Sequence, residues 1–368
     1  WLAGGLALTS GLLLWNLGPL LAHFGQEQHN IEGAMQFLST LVFALPGYLG
    51  FMALRGFPAA IGRPGPVMAI SIGGAAANFA LNWALIHGWF GLPPLGLAGI
   101  GLVTALVANV MTLLLFLHLL RHPAYAAYPL ARGLLRPRLA ELRELLRLGL
   151  PIGGTYAVES GMFAFAALCM GAIGSDALAA HQIAIMSVYV AFMVPVGISY
   201  ATTFRIGQHY GAGRLVDARR AGRLGIGGGA CCMLVFALLF WLAPEWVVGL
   251  FLDHQDPQFA AVVALAVSLL AVAAWFELFD GIQTIAMGAI RGLKDGKTTL
   301  LVGILCYWVI GIPLAWALAF PLGWGAEGVW WGLAGGLACA AIGLTLGFEW
   351  RMARMLRPQS VTAQACLS

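Results

Sequence analysis

Ten apolar stretches run along the chain, separated by polar loops that alternate between two kinds. The stretches cover residues 2–23, 34–55, 67–89, 97–119, 148–170, 179–204, 224–249, 260–289, 299–320 and 327–349. A helix needs about 20 apolar residues to cross the hydrocarbon of a bilayer, so the pattern predicts ten spanning helices. Every second loop is basic. Arg55 and Arg63 share one, and Arg121, Arg132, Arg136, Arg138, Arg143 and Arg147 share the next. Arg205, Arg214, Arg219, Arg220 and Arg223 follow, then Arg291, Lys294 and Lys297, and finally Arg351, Arg354 and Arg357 in the tail. The intervening loops carry Glu27, Glu32, Asp176, Asp253, Asp256 and Glu327, with Glu245 near a helix end, and no Lys or Arg. All 19 cations thus fall on one face of the predicted array. That sorting is the positive-inside signature of a multi-pass protein of a bacterial inner membrane, with the C-terminus cytoplasmic.

Composition strengthens this reading. Hydrophobic residues make up 61% of the chain and charged residues 9%, too few to cover a soluble domain of 368 residues, which would be about a quarter charged. The net charge of +4 resides in loop flanks facing an anionic leaflet, so it argues for the membrane surface and against nucleic acid. Six cysteines show no paired metal-binding spacing and are expected to be small apolar fillers. Pro46, Pro195 and Pro313 fall inside spans and predict local bends whose freed carbonyls must face protein or a wet cavity. In the largest basic loop, Leu135, Leu139, Leu142, Leu145 and Leu146 alternate with Arg and Glu, which predicts an amphipathic connector lying on the membrane surface.

The span order repeats. Met52-Ala53-Leu54-Arg55-Gly56 closes one span as Met287-Gly288-Ala289-Ile290-Arg291-Gly292 closes another. Leu20-Leu21-Ala22-His23-Phe24 likewise echoes Val247-Val248-Gly249-Leu250-Phe251. Both copies end on the same side, giving a parallel repeat about an axis along the membrane normal. The expected organisation is an N-terminal lobe at 1–119, the connector at 120–147, a C-terminal lobe at 148–350 and a tail at 351–368. The second copy has six spans and the first has four, so the repeat predicts two further spans before Trp1 in the natural reading frame.

At this point the chain resembles the multidrug and toxic compound extrusion (MATE) family, in its NorM-like bacterial branch. The resemblance rests on several motifs in order: Gly149-Leu150-Pro151-Ile152 ahead of Glu159, then Ala179-Ala180-His181-Gln182-Ile183. It continues through Arg205-Ile206-Gly207-Gln208 with Gly211-Ala212-Gly213-Arg214, and Asp280 with Gly288-Ala289-Ile290-Arg291-Gly292 and Asp295. The resemblance implies an all-α polytopic fold of two six-helix lobes, the first here lacking its first two helices. It also implies alternating access and export of amphipathic cations in exchange for Na+ or H+. The family's conserved Asp of the first helix would lie in the missing segment, without which transport is expected to be crippled.

Acidic residues inside spans carry the candidate chemistry. Glu159 sits about halfway along its span with no basic residue in that span, and Glu277 and Asp280 share a helical face by i,i+3 spacing. A charge at the bilayer centre costs roughly 2.5–3.5 kcal/mol even on the mild insertion scale, so such residues mark ion or substrate paths more often than packing. Glu277 is divided evenly between a site role and a packing role. By resemblance, Glu159 and Asp280 match the cation site of the second lobe and would ligate Na+ in a sodium mechanism. In a proton mechanism one of them would hold the proton. Tyr156, Ser160 and Gln283 lie within a turn and offer neutral oxygens. Two close carboxylates with amide partners suit a hard cation, which tilts the expectation toward sodium.

In the first lobe, Asn78 and Asn82 are stacked four apart where related branches carry Asn and Asp, so a protonatable pair is not expected there. Phe163, Phe165, Phe192, Trp275, Phe276, Phe279, Tyr307 and Trp308 are possible cavity lining for a lipophilic cation, although most such residues simply pack. Trp15, Trp89, Trp330 and Trp331 are candidate interface anchors.

A flippase for a lipid-linked saccharide would share the two-lobe plan but needs a cationic cavity, and no Lys or Arg falls in the interior of a predicted span. A channel or purely structural membrane protein would not require unpaired acids at mid-membrane. Enzymatic activity is not expected, because no buried nucleophile–base pair or nucleotide-binding loop is present. The chain is therefore expected to work as a monomer in the bilayer, with no cofactor beyond the coupling ion.

Overall fold

The computed structural model describes residues 1–19, 28–86, 96–128, 137–252 and 257–357. Among them the chain is all-α, and it divides between Leu142 and Arg143 into two compact units. Eight helices are long and apolar enough to cross a membrane, or nine when one bent pair counts as a single span. Of the first predicted span, α1 covers Leu2–Trp15, and residues 20–23 lie outside the described part.

In the first unit α2 (Gln28–Leu41) and α3 (Ala44–Ala60) together form the second predicted span, bent by 47°. The bend was expected at Pro46, but the helix breaks at Val42–Phe43. Pro46 lies in the first turn of α3, where a missing N–H leaves no bond unmade. At the break the Phe43 carbonyl accepts from the Asn109 side chain at 2.8 Å. Asn109 stands on α5 (Gly96–Arg121), which packs along α3 and beside α4 (Gly65–Ile86). Gly47 lets α3 and α5 meet backbone to backbone, since a Cβ there would lie 2.6 Å from the Ala108 carbonyl carbon.

The second unit begins within α6 (Leu139–Ile173), a single helix of 35 residues. Of the connector expected over 120–147, residues 129–136 lie outside the described part, and residues 139–147 form the first turns of α6, which runs on into the span. Pro151 sits inside α6 without ending it. Then come α7 (Ser175–Gly211), α8 (Leu215–Leu242), the short α9 (Pro244–Val248) and α10 (Ala260–Gly292). The ninth predicted span is α11 (Gly296–Gly303), a π-helical stretch at Ile304–Gly311 and α12 (Ile312–Ala319). The widened turns directly precede Pro313, whose ring would clash with the carbonyl four residues back in a regular α-helix. The last helix, α13 (Gly325–Leu356), runs further than predicted and takes up the first residues of the expected tail.

α10 is the hub of this unit, packed on α7, α8 and α13 and buried almost continuously from Leu269 to Gly292. Its faces carry Ala and Gly, which permit close approach where lipid provides no hydrophobic drive for helix association. Two hydroxyls on α7 fasten it: Ser199 donates to the Thr284 carbonyl and Thr203 to the Gly288 carbonyl, both at 2.7 Å. Leu150, Leu168 and Leu242 are more than 70% exposed, which fits helix faces turned to lipid. Trp330 is corrected from interface anchor to core, being fully buried against Phe276 and His181.

Candidate functional site

The sequence places Glu277, Asp280 and Gln283 on one face of α10, and packing of this helix at the centre of the unit encloses all three. Neither carboxylate oxygen of Glu277 has a hydrogen-bond partner, and neither does Oδ1 of Asp280. Gln283 donates to the Tyr307 hydroxyl, and its own carbonyl accepts from Thr284 at 3.2 Å. Glu159 approaches from α6 and is half-buried. Glu159 and Glu277 are the charged groups that act on Asp280, and Tyr307 lies within electrostatic reach of both Glu159 and Asp280.

The π-helical stretch helps hold this geometry. It carries Tyr307 and Trp308, and the Trp308 indole donates to the Val158 carbonyl of α6 at 2.9 Å, one residue before Glu159. A Cβ at Gly161 would meet the Trp308 ring at 2.8 Å, so the missing side chain is what admits the indole. Lower down, Thr155 and Thr299 meet hydroxyl to hydroxyl at 3.4 Å.

Glu159 opens onto a small pocket of about 20 Å³, lined also by Tyr156, Phe192, Ser199, Thr284 and Arg291. A cavity needs roughly 10–15 Å³ of this kind of volume to hold one water, so the space fits a water or a small ion and no drug molecule. Asp280 does not line this pocket and stays behind it in the core.

Arg291 is the residue that sequence reasoning misplaced. Expected in a basic loop, it occupies the last turn of α10 and reaches back along the helix. Its guanidinium donates to the Tyr156 hydroxyl at 2.7 Å and to Ser199 Oγ at 3.0 Å. It also acts electrostatically on Glu159. The absence of a cation from the predicted span interiors therefore does not mean that none reaches the acids. The available signal was the position of Arg291 just past the end of its predicted span, from where a long side chain can extend back along the helix.

The remaining expectations divide. Tyr156 is at the pocket but already accepts from Arg291, and Ser160 is exposed one residue past Glu159. Of the proposed aromatic lining, Phe192 is at the pocket. Phe163 and Phe276 pack edge-to-face in the core, and Trp275 packs against Trp241. His181, from the Ala179–Ile183 motif, is buried against Trp330. In the first unit the Asn82 amide donates to Asn78 Oδ1 at 3.0 Å, which joins the two asparagines to each other. Among the described residues no cluster of three or more His, Cys, Asp and Glu could hold a metal, so a sodium ion would draw on neutral oxygens beside the carboxylates.

A family model described as MatE matches residues 1–84 and 151–317. The probable multidrug resistance protein NorM of Pseudomonas aeruginosa is 69% identical over 365 residues, covering 99% of this chain and 75% of that protein. The protein of the same description from Pseudomonas syringae pv. tomato is 64% identical over 363 residues, covering 99% and 79%. Among solved structures, the outward-facing conformation of a multidrug resistance MATE family transporter of the MOP superfamily superposes with a TM-score of 0.83 at 21% identity, covering 95% of this chain and 77% of that one. The helical order, the acids within it and these matches agree, and the chain belongs to the MATE family, in its NorM-like bacterial branch.

Proposed function

We propose that the protein is a secondary active antiporter of the bacterial inner membrane, exporting amphipathic, mostly cationic drugs in exchange for Na+ or H+. Membership of the MATE family and the NorM relatives, named as multidrug resistance proteins, support this reading. Glu159 and Asp280 carry the coupling ion, with Glu277 adding negative potential behind Asp280. The observation that carries the assignment is a set of three carboxylates inside one helical unit, none of them in a hydrogen bond or ion pair to a basic side chain, with Glu159 opening on an ion-sized pocket. Carboxylates left bare in a low-dielectric interior need a cation, and Arg291, which lines the Glu159 pocket, is engaged with Tyr156 and Ser199.

The protein works as a single chain of two lobes built as parallel repeats. No chemical step on the drug is required, so it is not an enzyme and ATP is not its direct energy source. Dye export, read as uptake into everted vesicles of the full-length protein under an imposed Na+ or H+ gradient, tests the reading. One of the two gradients drives efflux. Efflux indifferent to both gradients would refute antiport.

The basic helix ends face the cytoplasm in this reading. Cysteines introduced at Gly213 and Gly323, in a background free of native cysteine, report the sidedness. An impermeant maleimide added to intact cells is expected to label the Gly323→Cys protein and spare the Gly213→Cys protein. The reverse result inverts the topology.

A further inference from the structure

We propose that the basic end of the α7–α8 pair holds an anionic phospholipid, headgroup on Arg205 and Arg220 and acyl chain against Ile198 and Leu224. The groove between these helices has a volume of about 610 Å³, and all of its lining belongs to the second unit. Its two ends differ in chemistry. Arg205, His209 and Arg220 lie at the end that carries the basic loop, while Ile198, Ala201 and Leu224 continue it toward the apolar part of the helices. A charged recess that runs into an apolar slot along a membrane-spanning pair matches a phospholipid in both parts.

The other cations at this end of the unit are mostly occupied. Arg219 and Arg223 converge on Glu349 at 2.6 and 2.7 Å, Arg351 pairs with Asp295, and the Arg354 guanidinium lies 5.5 Å from the centre of the Trp350 ring. Arg205 and Arg220 have no hydrogen bond or ion pair with any described residue, yet they share one groove. His209 adds a buried Nδ1 that likewise has no partner. The one acid on the groove wall, Asp217, is drawn to Arg214 at 3.9 Å and so offsets little of the positive charge. Two arginines without partners, lining one groove at the end that carries the basic loop, leave a site whose missing partner is a phosphate oxygen. The assignment is independent of the coupling role given to Glu159 and Asp280, and rests only on the helices being in a bilayer.

Native mass spectrometry of the purified, delipidated protein tests it, with cardiolipin, phosphatidylglycerol and phosphatidylcholine as probes. Wild type is expected to retain the anionic lipids on the order of 10-fold more tightly than phosphatidylcholine, as two arginines at a membrane surface allow. R205Q/R220Q is expected to lose that preference, while R354Q keeps it. L224W leaves both arginines in place and narrows the apolar slot, so it too is expected to lose the lipid. This covers the case in which the double variant fails to fold. Inorganic phosphate in millimolar excess is expected not to displace the lipid. An anionic preference that survives in R205Q/R220Q or in L224W, equal retention of phosphatidylcholine by wild type, or displacement by phosphate alone would each overturn the proposal.

Discussion

E159Q and D280N, made singly in the full-length protein, are expected to reduce ion-driven efflux of a lipophilic dye cation to background while the protein still inserts and folds. Losing one partner of a desolvated charge pair costs about 2–5 kcal/mol, which is on the order of 30-fold or more in affinity for the coupling ion. Folding follows the opposite sign. Asp280 is nearly fully buried and its Oδ1 has no partner, so replacing the charge with an amide removes a desolvation penalty. Efflux and thermal stability of the detergent-purified protein therefore separate: the first collapses, and the second is held or raised. A variant that loses both in parallel would mark the residue as structural. R291Q provides the complementary arm. It removes the guanidinium that contacts Tyr156 and acts on Glu159, leaving the acids in place, and is expected to alter the ion dependence of efflux without abolishing export.

The largest effect on stability is expected at Gly332. Gly328, Gly332 and Gly336 recur every four residues along α13 and lie against α12 and the end of the π-helical stretch. A Cβ at Gly328 would stand 2.7 Å from the Leu318 carbonyl carbon, and one at Gly336 would stand 2.9 Å from the Gly311 Cα. At Gly332 it would be driven into the backbone of Ala315, which cannot turn aside as a side-chain tip can. G332L must therefore separate α12 from α13 along their whole contact, at a cost of about 3 kcal/mol or more, the upper end of overpacking. Nothing lies within 4 Å of a Cβ at Gly347 on the same helix, so G347A is the control and is expected to be neutral or slightly stabilising. Thermal unfolding followed by size-exclusion chromatography checks both. An unchanged midpoint for G332L would show that this seam does not hold the unit together.

Much of the fold was legible in the sequence because a bilayer leaves few options. An apolar run long enough to span must be helical there, and each of α7, α8, α10 and α13 lies on a predicted span, although α7, α8 and α13 extend well past it at their basic ends. What escaped were features set by packing between helices. Pro46 signalled a bend, but the chain breaks three residues earlier, where Asn109 from a distant part of the sequence donates to the Phe43 carbonyl. Residues 139–147 have the Leu spacing of a surface helix, and nothing local reveals that this helix continues past Pro151 into the span. The acids were legible one by one, since an ionisable residue in an apolar run is conspicuous. Their mutual arrangement was not, because it depends on Trp308 seating over Gly161 and on α10 being the hub. Arg291 was the costliest omission. Charge sorting by loops assigns a residue to a side of the membrane, but a side chain about 6 Å long at a helix end can still reach back to a buried site.

The central claim is that Glu159 and Asp280 form one cation site whose occupancy opposes that of the drug. Linkage requires that an ion competing for this site weaken drug binding by the same factor that drug weakens ion binding. Equilibrium binding of a fluorescent lipophilic cation to the purified full-length protein, titrated with the coupling ion, measures this directly. In wild type the ion is expected to lower dye affinity several-fold, and in the E159Q/D280N double variant the dye should bind with an affinity that no longer responds to the ion. Undiminished ion competition in the double variant would place the coupling site elsewhere and contradict the account.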